Sequence, residues 1–304
     1  MNRLQKRFFV LDICIAGLLC SCATQPSDGV QTDSYGTHWK WRKDTIVVET
    51  PERPTGQKSV IGMAVPAMEI VRVGFVGLGV HGVDAVKRFT CIPGVRIVAL
   101  CDYGQERADS CLKYLQDASM PRAAVYFGAK SYERLCKRDD IDLVYVSADW
   151  LHHFPVLMGA LENGKNVAFE PSSHISLKEC WNLIDVSEKT RRHCIPLDSC
   201  HCGRAEVNNR QASRLVYCLR NGLPPDMNVY HLAERFCLVE LKKLSMDNNS
   251  APVTVPDFTR GEWGRFKRCK HAYAAPEEEA ASMEKAKAFT VKLKEQGTRE
   301  WAAE

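Results

Sequence analysis

Gly77-Leu78-Gly79-Val80-His81-Gly82 constrains the fold of this 304-residue chain more than any other stretch. The string fits G-x-G-x-x-G, and its surroundings give it weight. Before it, Ile70 to Val76 is a β-branched apolar run suited to a strand buried on both faces. After it, Val83, Val86, Phe89 and Thr90 fall at helical spacing, predicting a helix that follows Gly82. A strand, three spaced glycines and a helix are what a phosphate cradle requires. The first glycine allows a tight turn, the second lets a phosphate approach the backbone, and the third permits close helix–strand packing. The helix N-terminus then presents N–H groups and partial positive charge to an anion.

The same alternation continues downstream. Strands are expected at Val95 to Cys101, Ala123 to Phe127, Asp142 to Ser147, Asn166 to Phe169 and His193 to Leu197. Helices are expected at Glu106 to Leu115, Tyr132 to Lys137, Phe154 to Leu161 and Leu177 to Glu188. Ser176 and Glu179 spell a capping box for the last of these. Six strands alternating with helices predict an α/β chain with a Rossmann-type, doubly wound parallel sheet. After residue 200 the pattern changes to a reduced, mainly helical part. Helices are expected at 206–220 and at 226–244, the second capped by Asp226 and carrying Tyr230, Cys237, Leu241 and Leu244 on one side. Thr254 and Val255 suit at most a short strand. Pro276 to Gln296 reads as an amphipathic helix, with Glu277 to Glu279 in its first turn and Gly297 just beyond. Met283, Ala286, Phe289 and Leu293 line one face, as a packing stripe does.

Asp102 ends the second strand of the alternation, twenty residues past Gly82. A carboxylate there accepts hydrogen bonds from ribose hydroxyls and repels a 2′-phosphate, so the expected cofactor is NAD rather than NADP. Asp149-Trp150-Leu151-His152-His153 follows the fourth strand and Glu170 ends the fifth. Ligands bind beyond the carboxyl ends of parallel strands, which places both segments toward the nicotinamide side. Trp150 can pack on a ring and His153 can donate a hydrogen bond.

Composition limits the partners. The net charge of +4 is too small to argue for nucleic acid or an anionic membrane. Of 14 cysteines, Cys14, Cys20 and Cys22 lie in a hydrophobic leader, and the other eleven show no repeating spacing, so no disulfide framework is expected. Cys200-His201-Cys202, near His193 and Cys194, lacks the C-x₂-C pairs of structural zinc sites, and no metal is expected. Lys6 and Arg7 precede the apolar stretch Phe8 to Leu19, and Leu19-Cys20-Ser21-Cys22 resembles a bacterial lipoprotein signal with Cys22 as the lipidated residue. That implies export to the periplasm or cell envelope and a lipid anchor at Cys22. Asp12 opposes insertion, and a start at Met63 or Met68 would instead give a cytoplasmic protein. The expected domains are a signal at 1–22, a linker at 23–68, a nucleotide domain at 69–200, a helical C-terminal remnant at 201–265 and a helical tail at 266–304.

Together these segments resemble the Gfo/Idh/MocA oxidoreductases. Many dehydrogenases of that family carry Glu-Lys-Pro after the fifth strand. Here Glu170-Pro171-Ser172 has no lysine, which counts against an ordinary sugar dehydrogenase. A closer similarity is to glycoside hydrolase family 109, the NAD-dependent α-N-acetylgalactosaminidases. It is carried by Val71 to Gly79, Ile92-Pro93-Gly94-Val95, Asp139 to Tyr145, Asp149-Trp150, Leu215 to Pro224, and Met246 to Ser250 through Pro256 to Gly261. The resemblance implies a tightly held NAD recycled within each turnover. The sugar's 3-hydroxyl is oxidised to a ketone, the C2 proton becomes acidic, and elimination expels the glycosidic oxygen. Water then adds, and the ketone is reduced. No pair of catalytic carboxylates is needed, unlike in ordinary glycosidases. The resemblance places the cofactor on Val80 and His81, Asp102, the loop Trp150 to His153, and Glu170 with Pro171. Ser199 stands where the family has asparagine. Pro171 and Ser199 depart from the family's usual residues, and His81 replaces its usual arginine.

The family follows its nucleotide domain with a large antiparallel sheet that supplies the sugar contacts. Here residues 201–212 join the nucleotide domain almost directly to the family's C-terminal helical segment, so the chain looks like an internally deleted member. No catalytic acid or base can be placed on any residue. Three readings stay open. One is an NAD-dependent glycosidase acting on glycans with terminal α-N-acetylgalactosamine. The second is a catalytically degenerate NAD-binding fragment, and the third a Gfo/Idh/MocA sugar oxidoreductase. Apolar helix faces left without the missing sheet would favour a homo-oligomer.

Overall fold

The computed structural model describes residues 29–34, 36–170, 175–197, 205–266 and 273–303, with residues 205–209 given as backbone only. The leader expected at 1–22, the Cys200-His201-Cys202 string, Pro171 and Ser199 lie outside the described residues. Three short antiparallel strands come first: β1 (Gln31–Thr32), β2 (His38–Arg42) and β3 (Thr45–Val48). The alternating unit follows as β4 (Val71–Val76), α1 (Val80–Thr90), β5 (Val95–Asp102), α2 (Gln105–Asp117), β6 (Ala124–Phe127) and α3 (Ser131–Cys136). It continues with β7 (Leu143–Val146), α4 (His153–Glu162), β8 (Asn166–Phe169), α5 (Leu177–Thr190) and β9 (Cys194–Pro196). Helices α6 (Ala205–Asn221), α7 (Val229–Asp247) and α8 (Pro276–Ala302) complete the described chain, with a 3₁₀ turn at Trp263–Arg265.

Strands β4 to β9 form one parallel sheet in the order β6-β5-β4-β7-β8-β9. This is the doubly wound arrangement the alternation predicts. The chain reverses its direction of winding between β4 and β7, and that switch point opens a crevice at the strands' carboxyl ends. The two faces of β4 explain its unbroken apolar run. Val71, Val73 and Phe75 enter a core with Val86 and Phe89 of α1, Leu115 of α2, Val216 and Leu219 of α6 and Leu293 of α8. Val76 enters the opposite core with Leu157 of α4, Ile184 of α5 and Leu241 of α7. Helix α5 starts at the expected capping box, in which the Glu179 N–H donates to Ser176 Oγ and the Ser176 N–H donates to the Glu179 carboxylate.

Four expectations need correction. Residues 29–68 do not behave as a linker. Trp39, Ile46 and Val48 of the small sheet and Val60 are buried in the core shared with α5 and α7. Strands of two to five residues are too short for their alternation to stand out in a segment rich in charge and turns, and their apolar side chains find cover only in the folded chain. Helix α7 is capped by Asn228, whose side chain accepts from the Tyr230 and His231 N–H groups, because Asp226 is held by Arg214 of α6 at 3.1 Å. Gly297 lies inside α8, not beyond it. A Cβ there would sit 2.3 Å from the Ser119 carbonyl oxygen, so the residue is glycine for close packing. The short pairing expected at Thr254 and Val255 centres on Val253, as a single parallel bridge to Ile46 in which the Thr254 N–H donates to the Ile46 carbonyl at 2.9 Å.

A buried ion cluster ties these outer segments to the nucleotide unit. Glu188 of α5 is 1% exposed and receives Arg53 at 2.9 Å, Arg260 at 3.1 Å and the Tyr230 hydroxyl at 2.5 Å. Arg260 also reaches Asp185 at 2.7 Å. One carboxylate thus joins the N-terminal segment, α7 and the loop after it. The eight described cysteines are free thiols, all but Cys91 buried. No helix among the described residues is long and apolar enough to cross a membrane.

Candidate functional site

The turn between β4 and α1 has the geometry its glycines require. Gly77 has φ +89°, and a Cβ there would meet the Ser147 carbonyl oxygen at 2.3 Å. Helix α1 begins at Val80, so Gly82 falls in its first turn rather than ahead of it. A Cβ on Gly82 would lie 2.0 Å from the Gly77 carbonyl oxygen. Gly79 is different, because a Cβ on it would meet nothing within 4 Å. The middle glycine therefore faces open space, where a phosphate needs bare backbone. It is also the N-cap of α1 and carries no side-chain cap, so the first-turn amides face outward toward that space.

Asp102, at the end of β5, meets this turn. Its Oδ2 accepts from the Leu78 N–H at 2.7 Å and its Oδ1 from the Gly104 N–H at 3.2 Å. These two bonds fix the carboxylate while leaving each oxygen a further lone pair. Arg107 of α2 stands 3.6 Å from Oδ1. Gly79, Val80, His81 and Asp102 then share one crevice of about 350 Å³ with Trp150 and His152 from the loop after β7. That volume falls within the range of ligand pockets, about 300–1,000 Å³.

The remaining expected residues divide. Trp150 stands out from the surface at 72% exposure and lines the crevice, whereas Leu151 beside it is exposed without lining it. His153 is turned inward at 1% exposure, with its ring 5.3 Å from that of Phe169. Burial pushes its imidazole down to about 4, with Asp149 opposing, so it is neutral at pH 7. Its expected role as a donor into the crevice is corrected. It belongs to the core under α4, because α4 begins at His153 and sends that first side chain toward the sheet. Glu170 is corrected similarly. It is 1% exposed and accepts from the Tyr145 hydroxyl at 2.7 Å and from Arg88 at 3.0 Å, and its Oε2 lies 3.7 Å from His81 Nδ1. A buried carboxylate needs such partners, and they draw it behind His81 rather than into the crevice.

Among the lining residues that escaped the motif reasoning are Tyr103 and Arg107 just past the β5 acid, and Ser131 and Tyr132 at the start of α3. The first two follow a strand's carboxyl end, and that rule alone would have found them. Cys101 also lines the crevice and contacts Ser131 Oγ at 3.1 Å, and burial raises its thiol pKa. Among the described residues no group of three His, Cys, Asp or Glu side chains could hold a metal. The second wall expected from an antiparallel sheet domain is not found there either. The only sheets described are the small N-terminal one and the six-stranded one.

Two family models match the chain. The oxidoreductase family with an NAD-binding Rossmann fold covers residues 71–196, and the C-terminal domain of glycosyl hydrolase 109 covers residues 199–265. The nucleotide unit is therefore an NAD-binding Rossmann fold. A glycosyl hydrolase family 109 protein of Phocaeicola vulgatus is 36% identical over 508 aligned positions, covering 97% of this chain and 98% of that one. Another from Porphyromonas gingivalis is 47% identical over 435 positions, covering 75% of this chain and 93% of that one. A 304-residue chain cannot fill 508 positions, so the first relative carries a long internal stretch with no counterpart here. The myo-inositol dehydrogenase of Lactobacillus casei, solved with NAD(H) and myo-inositol, is 25% identical with a TM-score of 0.37, covering 43% of this chain and 36% of that one.

Proposed function

Because the chain belongs to glycosyl hydrolase family 109, we propose that it is the family's cofactor half: a protein that holds NAD tightly in the β4–α1 crevice but does not turn over glycosides alone. The observation that carries this reading is one crevice shared by the Gly79 cradle and Asp102. In it, Gly79 and the first-turn amides of α1 would take the pyrophosphate, Asp102 the adenosine ribose, and Val80, His81, Trp150 and His152 the flanks. When bound, NAD supplies a hydride acceptor that is regenerated within one turnover in the chemistry the resemblance implies. The chain's own part is to bind and orient. Asp102 is held by two backbone donors, and His81 stands against Glu170.

Glycoside cleavage by that route also requires the sugar's C2 and C3 to be fixed against the cofactor, with water controlled. The relatives' long internal stretch is where the family's sugar-holding wall would fall, between the two matched segments. The substrate class of the ancestral activity is a glycan with terminal α-linked N-acetylgalactosamine. Export with a lipid anchor at Cys22 is the accompanying proposal for where the protein resides.

The test is to assay purified protein with p-nitrophenyl α-N-acetylgalactosaminide, with and without added NAD, and to assay the boiled supernatant for NAD. Co-purified NAD without nitrophenol release is expected. NAD-dependent release would show instead that the chain is a complete glycosidase.

A further inference from the structure

Tyr103 was singled out by no motif, yet it makes the one side-chain bridge described across the crevice. It is the first residue after β5, next to Asp102, and its hydroxyl contacts Nε2 of His152, the N-cap residue of α4 after β7, with Nδ1 of the same ring 2.9 Å away. The two rings meet edge to face, with centroids 5.0 Å apart and planes at 83°. Strand β4 lies between β5 and β7 in the sheet. A bond between the loops of those two strands must therefore pass over the carboxyl end of β4, where the glycine turn begins. Both side chains line the crevice they span.

The His152 side of the bridge is held in place. Asp149 Oδ1 lies 2.8 Å from His152 Nδ1 and accepts from the Leu151 and His152 N–H groups at 3.0 and 3.1 Å. Burial works against the Asp149 charge, but these bonds outweigh it and keep the carboxyl below its ordinary pKa. Tyr103, half exposed, has His152 as its one side-chain hydrogen-bond partner described, so it is the arm that can swing.

We infer that Tyr103 and His152, oriented by Asp149, form a clasp over a bound dinucleotide beside Asp102 and set how slowly it leaves. The inference rests on the NAD reading above. Tyr103 and His152 are positioning residues: they close the route by which the cofactor departs. A cofactor regenerated within each turnover has no need to exchange, and slow release suits it.

The experiment loads the full chain with NADH, adds a large excess of NAD, and follows the loss of NADH fluorescence in wild type, Tyr103→Phe, His152→Ala, the double variant and His152→Gln. Release about tenfold faster is expected for Tyr103→Phe and for His152→Ala, the equivalent of one hydrogen bond. The double variant should be no faster than either single one, because the two residues share one bond. His152→Gln keeps a partner for the Tyr103 hydroxyl and should release NADH near the wild-type rate, and thermal midpoints should match throughout. NADH bound by all variants with equal release rates would overturn the clasp and leave the NAD reading standing. Failure of the wild type to bind NADH at all would overturn both.

Discussion

The six-stranded sheet and the segments packed outside it are held by different kinds of contact. In the sheet the decisive interactions are repeats of one unit: apart from the β4–β7 pair at the switch point, each strand pairs with the next strand along the chain, and apolar runs are buried on both faces. Outside it, few long-distance contacts carry the structure. Ile46 bridges Val253, Arg53 and Arg260 converge on Glu188, and the Tyr230 hydroxyl accepts from the Val60 N–H at 3.0 Å. A local code specifies the first region, and a handful of buried polar and apolar meetings specifies the second. The crevice belongs wholly to the first, since every residue that lines it lies between Val76 and Val156.

The sharpest way to break this comparison is at Glu188. Glu188→Ala leaves the buried Arg260 side chain and the partly buried Arg53 without their carboxylate, and removing one partner of a buried pair costs about 3–5 kcal/mol. Chemical denaturation should show that loss, while NAD affinity of the remaining folded protein stays unchanged. Were residues 29–68 a tether, Glu188→Ala would cost far less, because Arg53 would not be fixed against it.

A smaller effect separates the regions by pH. Burial holds His153 and His193, both packed against the parallel sheet, down to about 4, against an ordinary 6.5. The unfolded chain takes up these protons from about pH 6.5 downward, and the folded chain resists until about 4. The stability tied to their neutral forms is therefore complete above about 6.5 and is lost as the pH falls toward 4. Between pH 7 and pH 5 that loss is expected to be on the order of 1–2 kcal/mol per histidine. Replacing His153 and His193 by Gln should flatten the denaturation midpoint across this window. An unchanged slope in that variant would show that the imidazoles are not buried as described.

Particular residues show why some of this was legible in the sequence. Gly77, Gly79 and Gly82 act on backbone within a few residues of themselves, and Asp102 is fixed by the strand that carries it, so spacing alone located the tight turn and the carboxylate that meets it. His152 and His153 are adjacent and identical in type. Which one faces the crevice depends on where α4 begins, and the one capping residue nearby, Asp149, bonds the Leu151 and His152 N–H groups of the turn ahead of the start at His153. Glu170 reads as a crevice residue until Arg88 and Tyr145, distant in sequence, draw its carboxylate inward. Trp39 and Ile46 sit in a segment rich in charge and turns, and only α5 and α7 make them core. Tyr103 and Arg107 belong to no motif and join the site because strands β5 and β7 flank β4.

NAD affinity of the wild type and of Asp102→Ala, titrated side by side by calorimetry, tests the crevice most directly. Saturable one-to-one binding by the wild type is expected, with affinity weakened about 10- to 100-fold in the variant, the value of charge-assisted ribose hydrogen bonds. Equal affinities in the two proteins, or no heat of binding from the wild type, would contradict the assignment of the Gly79 cradle and Asp102 to the dinucleotide.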